Sequence, residues 1–197
     1  MINTARKLDL ARQIPIHTPQ SRPRHRRRAP PTQEFPIRTR THHRPTRVAT
    51  FVAEAVNVAQ MQTTTEALQR HNRRAVLISE EQALLRGVNG ASELNFAVAT
   101  RSDDVEPSGY DALVLMQGAD NQADTALALA KQFQAAGKPV IALTGSAGLV
   151  SSLVGNTPAS ETTASAIVDG QLYEVSESDA DWMILNAVND RLDRVAA

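Results

Sequence analysis

The chain has 197 residues, with 21 basic and 21 acidic side chains, no cysteine, and only four Phe, two Tyr and one Trp. That length accommodates one ordinary domain plus an appendage, and the missing thiols exclude disulfide scaffolds, Cys-ligated zinc, iron–sulfur clusters and a thiol nucleophile. No apolar run approaches the ~18–20 residues that span a bilayer, and so few aromatics argue against base-stacking or carbohydrate platforms, so a soluble, cytoplasmic protein with no membrane partner is expected.

The neutral total conceals two opposed parts. Residues 1–47 carry one Lys and eleven Arg against Asp9 and Glu34, a charge of +10, while residues 48–197 carry −10. Seven of the ten prolines fall in the first part and all nine glycines in the second, so composition and charge divide the chain at the same place. Low hydrophobicity with like charge cannot offset the entropy of ordering, so residues 1–46 read as a disordered Arg/Pro-rich arm or linker. A short helix over Thr4–Gln13 is its one structured candidate. Arg24, Arg26, Arg27 and Arg28 are candidates for non-specific anion or nucleic-acid contact through counterion release. An Arg-rich, acid-poor start is also compatible with targeting, but Ala-Pro-Pro-Thr follows the arginines where a Tat signal needs an apolar stretch. His25, His42 and His43 would meet a metal only adventitiously, because a mobile arm fixes no coordination geometry.

From residue 47 to 197 the pattern is that of an α/β domain. Short apolar runs alternate with helix-period segments, which predicts a mostly parallel central sheet. Val48–Ala53 reads as a buried strand, followed by a helix with Val58, Met61, Thr65 and Leu68 on one face. Ala75–Ser79 and Leu94–Thr100 read as the second and third strands, and Ser102-Asp103-Asp104 and Pro107-Ser108-Gly109 as turns. Ala112–Met116 is the most uniformly apolar strand. The helix after it carries Ala123, Ala126, Leu127, Ala130 and Phe133 on one face and stops at Gly137. Val140–Leu143 is the fifth strand, opened by Pro139. Asp169-Gly170 joins Ala166–Val168 and Gln171–Val175 as a hairpin. The last helix is predicted to be capped by Ser178, with Asp181 in its first turn and Leu185, Val188, Leu192 and Val195 as its buried stripe.

Ligands of open α/β sheets bind at the carboxyl ends of the strands. Two such ends carry small residues here, Met116-Gln117-Gly118-Ala119-Asp120 and Leu143-Thr144-Gly145-Ser146-Ala147-Gly148, the second entering a helix near Ala147. A hydroxyl at a sharp strand-to-helix turn is a candidate nucleophile with backbone N–H groups as its oxyanion hole. Thr144 stands where G-x-S-x-G requires its first Gly. The domain's one His, His71, sits among Arg70, Arg73 and Arg74, where exposure is expected. The structural alternative is that Gly145 and Gly148 make a tight turn and Ser146 caps the next helix. An anion at that helix start is a lesser alternative, and no phosphate-loop pattern supports it. Glu54 reads as a solvated loop acid, Trp182 as packing, and Tyr110 and Tyr173 as sheet-edge residues. No haem ligand set is legible, and neither a metal nor a cofactor is expected in this chain.

The order of elements, with YDALVLMQG at Tyr110–Gly118 and GKPVIALTGSAGLV at Gly137–Val150, resembles the PfpI/ThiJ-type, class I glutamine-amidotransferase-like fold over roughly residues 47–195. The resemblance implies a flavodoxin-like three-layer sandwich. It also implies which site residues have changed: the family's nucleophilic Cys falls on Thr144, the His that often follows it on Gly145, and the supporting acid on Gln60. Of the family's Pro-Gly-Gly, Gly118 alone is left to offer a backbone donor. Joint loss of thiol, acid and base reads as a retired active site. Within this fold the closest similarity is to the C-terminal domain of large-subunit haem catalases, through IALTGSA at Ile141–Ala147 and, loosely, LDLARQIPI at Leu8–Ile16. That similarity implies a non-catalytic chain with a stability or assembly role in hydrogen-peroxide detoxification. A catalase core or a second copy of the chain would be its partner, with any haem chemistry outside this chain. The alternatives are a small hydrolase or glyoxalase-like enzyme using Ser146 or Thr144, and an anion- or nucleic-acid-binding protein working through the arm.

Overall fold

The computed structural model describes residues 46–81, 83–90, 94–156, 160 and 162–196. The expected arm, with Arg24, Arg26, Arg27, Arg28 and its three histidines, lies outside the described residues except for Thr46. That residue opens the first strand, one position ahead of the boundary expected from the sequence.

The fold is α/β with a mostly parallel central sheet. The first strand, β1 (Thr46–Phe51), pairs in parallel with β3 (Arg73–Ser79) on one side and with β7 (Ala112–Leu115) on the other. β3 extends the sheet to the short β6 (Thr100–Arg101), and β7 extends it to β8 (Val140–Ala142). Beyond β8 the sheet turns antiparallel through β9 (Ala164–Val168) and β10 (Gln171–Val175), giving the order β10-β9-β8-β7-β1-β3-β6. The hairpin between the last two strands turns at Asp169 (φ 50°) and Gly170 (φ 77°), the pair of left-handed residues that the Asp-Gly signal predicts.

Strands that are buried on both faces read as continuous apolar runs, and β7 shows why. Leu113 and Leu115 face one core with Phe51, Ile78, Phe133, Val140 and Leu149, while Val114 and Met116 face the other with Val48, Leu68, Leu143, Ile184 and Leu185. The first core is covered by α2 (Ala123–Ala135) and α3 (Ala147–Leu153), the second by α1 (Val58–Arg70) and α4 (Ala180–Ala196). The result is the expected three-layer sandwich. Gly137, at φ 68°, ends α2 in the left-handed conformation that a β-carbon disfavours.

Several expectations are corrected. The segment 94–100 is not one strand: β5 (Asn95–Ala97) joins a separate three-stranded sheet, and β6 alone reaches the main one. That second sheet, in the order β2-β4-β5, also contains β2 (Ala55–Asn57) and β4 (Leu84–Val88), which the sequence pattern did not reveal. On α1 the buried positions are Val58, Gln60, Thr64, Ala67 and Leu68, so Met61 and Thr65 sit beside the buried face. On α4, Ile184 joins Leu185 and Val188 in the core, Leu192 is half-buried, and Val195 is 81% exposed. Tyr110 is buried against Phe133 rather than lying at a sheet edge, and the Arg47 guanidinium stacks on its ring.

His71 is not exposed either. Its Nδ1 lies 2.7 Å from Asp193 Oδ2, and Asp193 also accepts a 2.7 Å bond from Arg73 Nη1. Arg73, only 6% exposed, reaches Asp111 at 3.2 Å as well. This network ties the end of α1 and the start of β3 to the last turns of α4. The bond from His71, supported by Arg73, holds the Asp193 carboxyl below its ordinary value of 3.8, against an opposing effect of burial. A carboxylate whose pKa is lowered by folding contributes stability above its unfolded value and loses it as the pH falls through the folded one. In an acid titration Asp193→Asn should therefore be less stable than the parent at neutral pH, with the difference shrinking below about pH 4. Parallel stability–pH curves would contradict this. Arg73→Ala should cost roughly 1.5–3 kcal/mol in denaturant unfolding, because it leaves charge-bearing partners without their donor.

Candidate functional site

The site forms at the carboxyl ends of β1, β7 and β8, where a parallel sheet leaves strand-end backbone groups to be met by loops and helix starts. After β8 the chain turns through Leu143, Thr144 and Gly145 into α3. Gly145 has φ 84°, and a β-carbon there would lie 2.8 Å from Gln117 Cγ, so both conformation and space require glycine. After β7 the chain passes through Gln117 to Gly118, which is also left-handed at φ 85°. The two strand ends thus place Gln117 against the Thr144–Gly145 turn.

Thr144 is half-buried and fully engaged. Its backbone N–H donates to Asp181 Oδ1 at 2.7 Å and its hydroxyl to Asp181 Oδ2 at 3.0 Å. Gln60 closes the cluster. Its Nε2 donates to Asp181 Oδ2 at 2.8 Å and also approaches the Thr144 carbonyl (3.2 Å) and Oγ1 (3.3 Å). Its Oε1 accepts the backbone N–H of Gln117 at 2.8 Å. Gln60 is 6% exposed, so these bonds are what makes burying an amide tolerable. Asn57 caps α1 by accepting the Gln60 N–H at 3.2 Å, and its side-chain amide donates to Gln117 Oε1, so the Asn57–Gln117 pair bridges the mouth of the turn.

Ser146 is buried and its hydroxyl points away from the mouth. It donates to the Met116 carbonyl at 2.8 Å, tying the turn to the end of β7. It stands at the N-cap of α3, but its side chain makes no capping bond there, so the expected side-chain cap is replaced by this cross-strand tie. Gly148 lies inside α3 rather than in the turn. Asp181, expected to serve the start of its own helix, instead supplies the acceptor that organises Thr144, and α4 starts at Ala180, two residues after Ser178. His71 is at the other end of α1 and does not join the site. Glu54 is exposed at the rim of a small polar cavity shared with Asn57, Asn89, Gln117 and Asn121.

Above the turn is an open cavity of about 530 Å³ lined by Gln117, Gly118, Asp120, Thr144, Gly145 and Ser160 among others. A second, of about 380 Å³, lies on the α4 side of Thr144 beside Thr63, Asp179, Asp181 and Trp182. Among the described residues no group of three or more His, Asp or Glu side chains is placed to hold a metal ion. No described helix is long and apolar enough to cross a membrane.

A three-layer α/β sandwich with a glycine-enforced strand-to-helix elbow at the carboxyl edge of its parallel strands defines the class of protein. Within that class, the DJ-1/PfpI family model matches residues 46–191, and the chain belongs to that family. Similar solved structures include a ThiJ/PfpI domain protein from Brachyspira murdochii, with a TM-score of 0.57 at 13% identity, covering 75% of this chain and 96% of that one. A candidate protease I from Bacteroides thetaiotaomicron gives 0.56 at 15% identity over 75% and 99% of the two chains. A two-domain protein from Anabaena variabilis, with DJ-1/ThiJ/PfpI-like and ferritin-like domains, gives 0.55 at 15% identity over 75% and 48%. The chain spans only 58% of the length of the VC2308 protein and 61% of a DJ-1 superfamily protein from Salmonella typhimurium. No curated protein matches it.

The clasp predicts the effect of changing its charge. Gln60→Glu sets a carboxylate where Nε2 lies 2.8 Å from Asp181 Oδ2, and two carboxylates that close cannot both ionise cheaply. The variant should lose about 1–3 kcal/mol at pH 7.5 and recover part of it as the pH falls towards about 5, because the shared proton's folded pKa is raised. A pH-independent loss would show that charge is not the cause. Gly145→Ala should cost about 1–2 kcal/mol from its left-handed backbone alone, measured by urea unfolding.

Proposed function

We propose that this chain is a non-catalytic DJ-1/PfpI-family domain that acts through protein contacts, in a stability or assembly role. The observation that carries the reading is the engagement of Thr144. The residue at the nucleophile position donates its hydroxyl hydrogen inward to Asp181, and its backbone N–H is taken by the same carboxylate. Gln60 occupies the acid position as a hydrogen-bonding bridge rather than as a proton carrier. A hydroxyl nucleophile needs an adjacent base to activate it. Among the described residues no imidazole reaches this one, and a carboxylate is a weak base for an aliphatic alcohol. The Gln117 N–H beside the elbow is also given to Gln60. Ser146 is a poorer candidate still, because its hydroxyl is buried and committed to a carbonyl.

The finer form of the proposal is that the partner is a haem catalase core, in the manner of the large-subunit catalase C-terminal domain. Its support is the IALTGSA run at the elbow and the loss of thiol, acid and base together. The haem and its chemistry would belong to that core, and this chain would contribute stability to the assembly.

Two measurements test the reading. Purified chain should give no esterase, peptidase or glyoxalase turnover above buffer, and Thr144→Ala and Ser146→Ala should be indistinguishable from it. A parent rate that vanishes in either variant would overturn the proposal in favour of a hydroxyl-dependent enzyme. Co-expression with a large-subunit catalase lacking its own terminal domain should yield a co-eluting complex with a higher thermal midpoint than the truncated core. Separate elution with an unchanged midpoint would remove the catalase partner.

A further inference from the structure

A second groove, unrelated to the elbow, lies between the edge strand β10 and the C-terminal half of α4, with a volume of about 320 Å³. Its floor is apolar, built from Val168 of β9, Val175 of β10, and Ile184 and Val188 of α4. Its rim carries two arginines, Arg191 and Arg194, one turn of α4 apart.

The polar lining has a definite sign. Side chains alternate across a strand, and on β10 the Tyr173 hydroxyl accepts from Arg191 Nη1 at 3.3 Å, which sets Tyr173 on the α4 side. Glu174 is turned to the opposite face of the sheet, where its carboxylate accepts a 3.1 Å bond from Ser151 of α3. Glu174 is the one acid of the groove lining, and its carboxylate is therefore drawn out of it. Arg191 is held by Asp169, through its Nε at 3.0 Å and through Nη2. Arg194 makes no ion pair among the described residues. In a body whose residues 48–197 carry −10, Arg194 is thus the cation that the rim offers over an apolar floor.

We propose that the groove binds a small amphiphilic carboxylate, with its hydrocarbon chain on the Val168–Ile184–Val188 floor and its carboxylate against Arg194. Concave apolar sites with a few placed polar groups are the usual form of ligand pockets, and this volume is at the small end of the ~300–1,000 Å³ range. That suits a medium-chain alkyl carboxylate rather than a larger lipid. A charge-assisted contact from an arginine supplies the head-group preference. The assignment does not depend on whether the elbow is catalytic.

Decanoate titrated calorimetrically into the full chain should bind saturably at one site. Decanol, which has the same chain without the charge, should bind more weakly, and acetate should not compete. Arg194→Glu should weaken decanoate roughly tenfold or more. Ala187→Trp, at an exposed position on the groove wall, should abolish binding by filling the site. Ala187→Phe is the substitute if the Trp variant does not give the parent circular dichroism spectrum. Non-saturable uptake, equal affinity for decanol, competition by acetate, or unchanged affinity in a folded variant would each overturn the proposal.

Discussion

The contact on which this structure turns is the one between Thr144 and Asp181. The carboxylate takes both the N–H and the hydroxyl of Thr144, and it does so from the first turn of α4, the last element of the fold. Everything at the carboxyl edge follows from it. Gln60 is buried because Asp181 and the Gln117 N–H satisfy its amide, Gln117 is drawn across the turn, and Gly145 is obligatory because Gln117 lies where a β-carbon would go. The polar groups of the elbow are tied to one another by short, mutually supporting bonds, and such networks rigidify a site when every member is satisfied.

Much of the architecture was legible because it rests on local chemistry. β7 is apolar at every position because both of its faces are buried, the Asp169-Gly170 turn is written in two residues, and Gly137 marks the end of α2. The second sheet was not legible. β2, β4 and β5 have three to five residues each and carry Asn, Arg and Gly among their apolar positions, and β2 is held by a partner far along the chain. The split of the segment 94–100 between two sheets has the same cause: seven residues of strand-like pattern do not say which neighbour they will pair with.

The site divides in a similar way. Thr144, Gly145, Gln60 and Gly118 are legible as candidates because strand ends and motif resemblance point to them. Asp181 reads in the sequence as a partner of its own helix start, since nothing in the local pattern links it to a residue 37 positions earlier. Asn57 carries a local signal of its own. An Asn three residues before a Gln is half of a capping box, and in the structure its carboxamide oxygen caps α1 while the Gln reaches across to the elbow instead of back. Ser146 shows the reverse error, a serine at a helix start whose hydroxyl serves a neighbouring strand.

The two polar contacts of α4 also determine how it lies against α1. Near its start it meets Gln60, and near its end His71 and Arg73, so the two helices run side by side in the same direction. Their macrodipoles are then aligned, like ends together, which is a repulsive arrangement. The apolar stripe between them is indifferent to that direction. The ends are not: Asp181 places negative charge where two positive helix starts converge, while at the other ends His71 and Arg73 bind the Asp193 carboxylate of α4. The pin at the starts therefore offsets part of a field that the topology itself creates, and the pin at the far ends ties the two helices by direct bonds.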